Sequence, residues 1–226
     1  MPPVPENPRT RQPVKRDLFL LLGIAGFTVC ITLFYFLLPQ PNSEPGSLNS
    51  ATSLHAHPRA FPEFSLTDHR GTEFSHQHLR NVWSFIFFGY THCPDICPLT
   101  LGTMNQVLGT LSTRDAIPAQ GIFISVDPSR DTQPQLSDYV QYFDQKIIGL
   151  TGYDSELETL SQALGVVYSV PPAQDDAGYL VDHSAHIFLV TPNGNLLALF
   201  GTPHESQHII DDFRTLNTYY NLQQGS

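Results

Sequence analysis

Hydrophobic positions along the chain fall into three regimes. Residues 18–38, LFLLLGIAGFTVCITLFYFLL, are apolar on every side and carry no formal charge. At about 1.5 Å rise per residue such a run reaches across a hydrocarbon core of about 30 Å, so it predicts a single transmembrane helix. From 39 to 60 the pattern lapses into Pro, Ser, Asn and Gly, the composition of a flexible tether. From 61 to 226 apolar residues return in short periodic blocks, which predict one globular domain.

Within that domain, FSLTDHRGTEFS places apolar residues on both sides of DHRG and predicts a β-hairpin. NVWSFIFFGY (81–90) and QGIFISVDP (120–128) are dense β-branched and aromatic runs, as in strands buried on both faces. PLTLGTMNQVLGTL (98–111) spaces Leu99, Met104, Val107, Leu108 and Leu111 as a helical stripe, with Pro98 in the first turn. PQLSDYVQYF (134–143) predicts a helix and KIIGLTG (146–152) a short strand. DSELETLSQALG (154–165) predicts a helix capped by Asp154 and stopped by Gly165. AHIFLVTPNGNLLALFG (185–201) reads as a hairpin turning at TPNGN. HESQHIIDDFRTLNTYY (204–220) predicts a final helix with Ile209, Ile210, Phe213 and Leu216 on its apolar side. Strands alternating with helices give an α/β fold, a mixed sheet flanked by helices, and the order is compatible with a thioredoxin-like core.

Charge orients this plan. Within residues 1–16, Arg9, Arg11, Lys15 and Arg16 stand against Glu6 alone ahead of the apolar run, so residues 1–17 are expected in the cytoplasm and the domain outside. The run exceeds the length of a cleaved signal core, and no small-x-small site follows it. Cys30 lies inside it, without the small residues of a lipoprotein site before it, and is expected to be a membrane-embedded residue with no special role. With no Arg-rich and Ser-rich, acid-free presequence, a bacterial inner-membrane protein facing the periplasm is expected. Residues 17–226 hold seven basic and twenty acidic residues, a balance that argues against nucleic-acid binding.

Two of the three cysteines, Cys93 and Cys97, lie in FFGYTHCPDICPLTL, after a buried strand and ahead of a helix. Backbone N–H groups at a helix start favour anions and lower a thiol pKa, which suits both nucleophile and soft metal ligand. A structural disulfide here would close too small a loop to stabilise much. Ten histidines could supply a further metal donor. His55/His57 lie in the tether and His76/His78 in an early polar segment, while His204/His208 are one turn apart on the last helix. Each of these pairs is expected to be solvated. His92 adjoins Cys93, but neighbouring side chains point apart, so it is expected outside the donor set. His183, just ahead of the last hairpin, is by spacing either a ligand or a hydrogen-bonded loop histidine.

Together FFGYTHCPDICPLTL, ISVDPSRDT and VDHSAHIFLVTPNG resemble the SCO/SenC family of membrane-anchored copper chaperones, in motif order and over roughly residues 61–220. The resemblance implies a thioredoxin-like copper-binding domain over 61–226, with copper held by Cys93, Cys97 and His183. It implies delivery of copper to the dinuclear copper site of cytochrome c oxidase, or reduction of that site's cysteines by the redox-active pair Cys93 and Cys97. The oxidase subunit carrying that site is the implied partner, alongside other periplasmic copper chaperones or thiol reductases. Asp127, Arg130 and Asp131 match the family's VDPxRD turn, read as structural or partner-facing. His186, His76 and His78 depart from the family pattern and leave room for an auxiliary copper contact. Two soft thiolates and an imidazole suit copper, whereas a closed zinc site would want a fourth donor. A thiol–disulfide reductase without copper, or a copper or redox sensor module, uses the same dithiol. A peroxiredoxin-like reading fails, because Tyr90 and Pro94 stand where the threonine before an attacking cysteine would be.

Overall fold

The computed structural model describes residues 14–37, 46–54, 59–115, 117–171 and 179–224. The chain divides into two units, Met1–Glu44 and Pro45–Ser226. In the first, Val14–Leu37 form helix α1. Thr28 and Thr32 turn their hydroxyls onto the carbonyls of Ile24 (3.1 Å) and Thr28 (2.6 Å), so both polar groups are satisfied within the helix. Among the described residues no helix is long and apolar enough to cross a membrane. The span expected at 18–38 lies partly outside them: residue 38 is not described, nor are the side chains at 18, 20 and 35–37.

The second unit is built on a nine-stranded mixed sheet. Its strands are β1 (Ala51–Ser53), β2 (Arg59–Ala60), β3 (Ser65–Asp68), β4 (Glu73–Ser75), β5 (Trp83–Gly89), β6 (Ala119–Ser125), β7 (Ile147–Thr151), β10 (Ile187–Val190) and β11 (Asn195–Phe200). A separate ribbon pairs β8 (Tyr168–Ser169) with β9 (Asp182–His183). Four helices follow in chain order: α2 (Ile96–Thr110), α3 (Gln133–Phe143), α4 (Asp154–Leu164) and α5 (Ser206–Gln224). Central β5, β6 and β7 are parallel, and β10 joins β5 antiparallel. All seven residues of β5 are buried, as its unbroken apolar run requires of a strand covered on both faces. On one face Trp83 and Phe85 pack against Phe213 of α5, with ring centroids 5.1 and 5.5 Å apart, and Phe123 meets Tyr139 of α3 at 5.5 Å. This is the mixed sheet with flanking helices expected from the sequence, in the order of a thioredoxin-like fold.

Local expectations hold where the signal is local. The β3–β4 and β10–β11 hairpins form, and Gly165 ends α4 with φ 72° in the left-handed region. Tyr153 rather than Asp154 occupies the cap of α4; Glu156 accepts its N–H (3.2 Å), and Asp154 becomes the first helical residue. Part of the expected tether belongs to the globular unit. β1 and β2 both pair with β11, and the N–H groups of Asn49, Ser50 and Ala51 reach the buried Asp212 carboxylate at 2.7, 2.7 and 2.8 Å. His204 is not on the last helix with His208, because α5 begins two residues later. The Thr100 hydroxyl holds its Nδ1 at 3.1 Å and the ring packs edge-on to Phe87, while His208 is exposed.

Candidate metal centre

The cysteine turn is fixed by the end of β5. Gly89 closes the strand and Tyr90 is buried; the Cys93 N–H bonds the Tyr90 carbonyl at 3.2 Å. Cys97 is the second residue of α2, and its N–H points at Cys93 Sγ (3.4 Å). Both sulfurs are free thiols and both residues are buried. The helix start draws charge to Cys93. The Cys97 thiol, donating to its sulfur, lowers the Cys93 pKa most; burial opposes this, but His183 and the N–H groups of Asp95 and Cys97 carry it down to about 4. Cys97 is driven up, first by yielding its proton to that bond and then by burial. The pair therefore shares one proton, with the thiolate on Cys93.

His183 completes the cluster, although the sequence reading places it in a loop. It lies in β9, opposite Tyr168, and its Nε2 is 3.3 Å from Cys97 Sγ. Nδ1 lies 3.2 Å from the Ser184 carbonyl, which fixes the ring orientation and turns Nε2 toward the sulfurs. Phe87 and Tyr90 hold the imidazole edge-on, with centroids 5.8 and 5.9 Å away. The donor atoms of Cys93, Cys97 and His183 all lie within 4.8 Å of one another, and no other group of three such donors occurs among the described residues. These three residues could hold a soft metal ion with a coordination position left open.

The other candidates stay out of this cluster. His92 turns to Asp131 Oδ1 (3.6 Å) and the Gln135 amide (3.2 Å). Gln120, near the start of β6, donates to the His78 carbonyl (3.0 Å), which puts His76 and His78 at the end of the parallel strands opposite the cysteines. His186 is exposed, and His55 and His57 lie outside the described residues. Asp131 is buried and braces the cysteine turn, accepting the Thr91 N–H (2.9 Å) and the hydroxyls of Thr91 and Ser125 (both 2.6 Å). The sequence reading gave no role to Tyr179 and Thr91, whose contacts are made across the fold. A groove of about 670 Å³ between β3, α3 and α4, lined by Glu73, Gln133, Tyr153 and Glu156 among others, contains none of the three donors.

A mixed-sheet domain presenting two thiols and an imidazole at one sheet end defines a thioredoxin-like protein with a sulfur-rich metal-binding or redox centre. The chain belongs to the SCO1/SenC family, whose model matches residues 53–218. It is 39% identical over 153 residues to the mitochondrial SCO2 homolog of Bos taurus, covering 67% of this chain and 58% of that protein. It thus spans less than two thirds of that relative. The copper-bound crystal structure of Arabidopsis thaliana ScoI superimposes with TM-score 0.65 at 32% identity, over 74% of this chain and 99% of that one. Yeast Sco1 with copper bound gives TM-score 0.65 at 35% identity, over 69% and 87%.

Proposed function

We propose that this chain is a copper carrier for cytochrome c oxidase assembly. It takes one copper ion on Cys93, Cys97 and His183 and passes it to the oxidase's dinuclear copper site. The observation that carries the reading is the convergence of those three donors within 4.8 Å. Two thiolates satisfy Cu(I), and the imidazole adds the nitrogen donor that Cu(II) favours. A three-donor set leaves a position through which a target thiolate enters, so the ion moves by ligand exchange. Binding displaces the proton held on Cys97 and is therefore favoured by rising pH. Relatives solved with copper bound support this cargo. The domain works on the periplasmic side of a bacterial inner membrane, anchored by residues 18–38, a placement supported by the apolar run and the basic residues ahead of it.

The asymmetry of the thiols favours a second reading, a disulfide reductase. The Cys93 thiolate attacks a target disulfide and releases one target thiolate. Cys97 then attacks Cys93, releasing the target's second sulfur and leaving this pair oxidised. Anaerobic copper titration of the reduced full chain separates the two. One copper per chain, lost in Cys93→Ser and Cys97→Ser, is expected. His183→Ala should keep thiol exchange but bind Cu(II) weakly and fail to mature the oxidase at limiting copper. Full maturation by His183→Ala would overturn the carrier reading in favour of the reductase.

A further inference from the structure

In the VDPSRD turn after β6, Asp131 braces the cysteine turn, while Asp127, Ser129 and Arg130 converge on one distant residue, Tyr179. Asp127 is buried, and its Oδ1 accepts the hydroxyls of Ser129 (2.8 Å) and Tyr179 (2.8 Å) while Oδ2 accepts Arg130 Nε (2.5 Å). Arg130 grips Tyr179 from the other side. Its Cζ lies 3.5 Å from the Tyr179 ring centroid, and Nη1 donates to the Tyr179 carbonyl at 2.9 Å. Ring, hydroxyl and carbonyl of one residue are thus all held by a single turn.

Tyr179 stands four residues before His183, on a segment with little regular structure of its own. β9 is two residues long and pairs only with the equally short β8; the ladder onto β5 begins at Ile187. The other ties are the buried Val181 side chain, the Ser184 N–H on the Val167 carbonyl (2.9 Å), and Tyr90, whose hydroxyl faces the Val181 N–H and whose ring meets both His183 and Arg130, the latter at 5.7 Å. An Asp–Arg pair of this kind is ordinarily a device that braces its own turn. Here Arg130 leaves its buried Nη2 without a hydrogen-bond partner among the described residues, so its pose follows the stack on Tyr179 rather than saturation of its own donors.

We propose that Arg130 is a positioning residue for the metal centre: with Asp127 it pins Tyr179 and thereby holds the His183 imidazole against the two thiols. This rests on the reading of His183 as a ligand. Residues that orient a ligand from behind typically cost 10–100-fold in metal affinity when lost. Arg130→Lys keeps a charge for Asp127 but loses the planar stack and the paired donors. Tyr179→Phe keeps the ring and loses the Asp127 bond.

The test compares wild type, His183→Ala, Arg130→Ala, Arg130→Lys and Tyr179→Phe as full chains in detergent. Nuclear Overhauser contacts from the His183 ring to Phe87 and Tyr90 are read without metal, followed by Cu(II) titration with nitrogen hyperfine coupling. Arg130→Ala should lose those contacts and bind Cu(II) at least about tenfold more weakly. Its dithiol potential and Cu(I) affinity should stay near wild type, with Arg130→Lys intermediate. Wild-type contacts and Cu(II) coupling in Arg130→Ala, with only a lower melting temperature, would overturn the proposal and leave the turn as scaffold. If Arg130→Ala does not fold, the other two variants decide by the same contacts: weakened supports it, unchanged refutes it. If His183→Ala binds Cu(II) like wild type, the ligand reading fails, while the metal-free contacts still decide the positioning role.

Discussion

Replacing Gly89 by alanine puts a methyl group against Cys97, one of the three clustered donors. A Cβ there would lie 2.7 Å from Phe123 Cε2, 2.8 Å from Cys97 Sγ and 3.1 Å from Phe87 Cε1. All three neighbours are fully buried side chains, so none can swing into solvent. Bringing the sulfur from 2.8 Å to an ordinary contact near 3.5 Å moves it by about 0.7 Å. Overpacking of this kind costs about 1–3 kcal/mol, and the stiffer unfolded chain returns about 0.4–1 kcal/mol. A net loss near 1–2 kcal/mol lowers the melting temperature by roughly 2–8 °C in a domain of this size. The strain also reads out at the site. If Cys97 yields, a metal must draw its sulfur back against the clash, and each ~1.4 kcal/mol recovered weakens binding about tenfold. Calorimetry on the reduced protein and anaerobic copper titration measure the two effects. A melting temperature and copper affinity both equal to wild type would refute the packing argument and the position it gives to Cys97.

Iodoacetamide at about pH 6 should label Cys93 alone, at a rate nearly flat to about pH 8, because its thiol is already ionised; a tenfold rise per pH unit would refute this. The Tyr139 hydroxyl is buried with no hydrogen-bond partner among the described residues, so Tyr139→Phe should stabilise the domain by about 1 kcal/mol, and a lower melting temperature would contradict that. Burial alone would raise the Asp212 pKa, but the N–H groups of Asn49, Ser50 and Ala51 outweigh it and hold the carboxyl below its ordinary value. The stabilisation is therefore complete above the unfolded value of about 3.9 and is lost as pH falls through the lower folded value. Asp212→Ala should remove that acid-sensitive contribution and speed amide exchange at 49–51 while leaving β5 protected; unchanged exchange would refute it. A periplasm-dependent reporter fused after residue 226 should be active and one fused near residue 10 silent, and the reverse would overturn the anchor.

What the sequence made legible was set by how local each signal is. β5 and β6 read as buried strands because parallel central strands are apolar on both faces, and their residues alone carry that pattern. The cysteine turn was legible for the same reason, since strand, turn and helix are contiguous. His183 could be placed only as a loop histidine, because two-residue strands leave no periodicity to read. His204 sits at helical spacing from His208, but a hydroxyl from α2 captures its ring before α5 begins. Asp212 looks like any acidic residue on an exposed helix; only β1 lying along β11 brings three backbone donors onto its carboxylate.

The three donors do not share one anchorage. Cys93 and Cys97 hang from the junction of β5 and α2, where every residue of the strand is buried and Asp131 braces the turn. His183 hangs from a two-residue ribbon and a clamp at Tyr179. Thiol exchange needs only the first anchorage, whereas holding an ion on nitrogen as well as sulfur needs both. A perturbation of the clamp should therefore separate the two proposed activities of one dithiol without altering a cysteine. A perturbation at Gly89 acts on a sulfur that both proposed activities use and should impair them together. Which activity survives in each variant is thus a property of where each donor is rooted in the fold, and of how firmly.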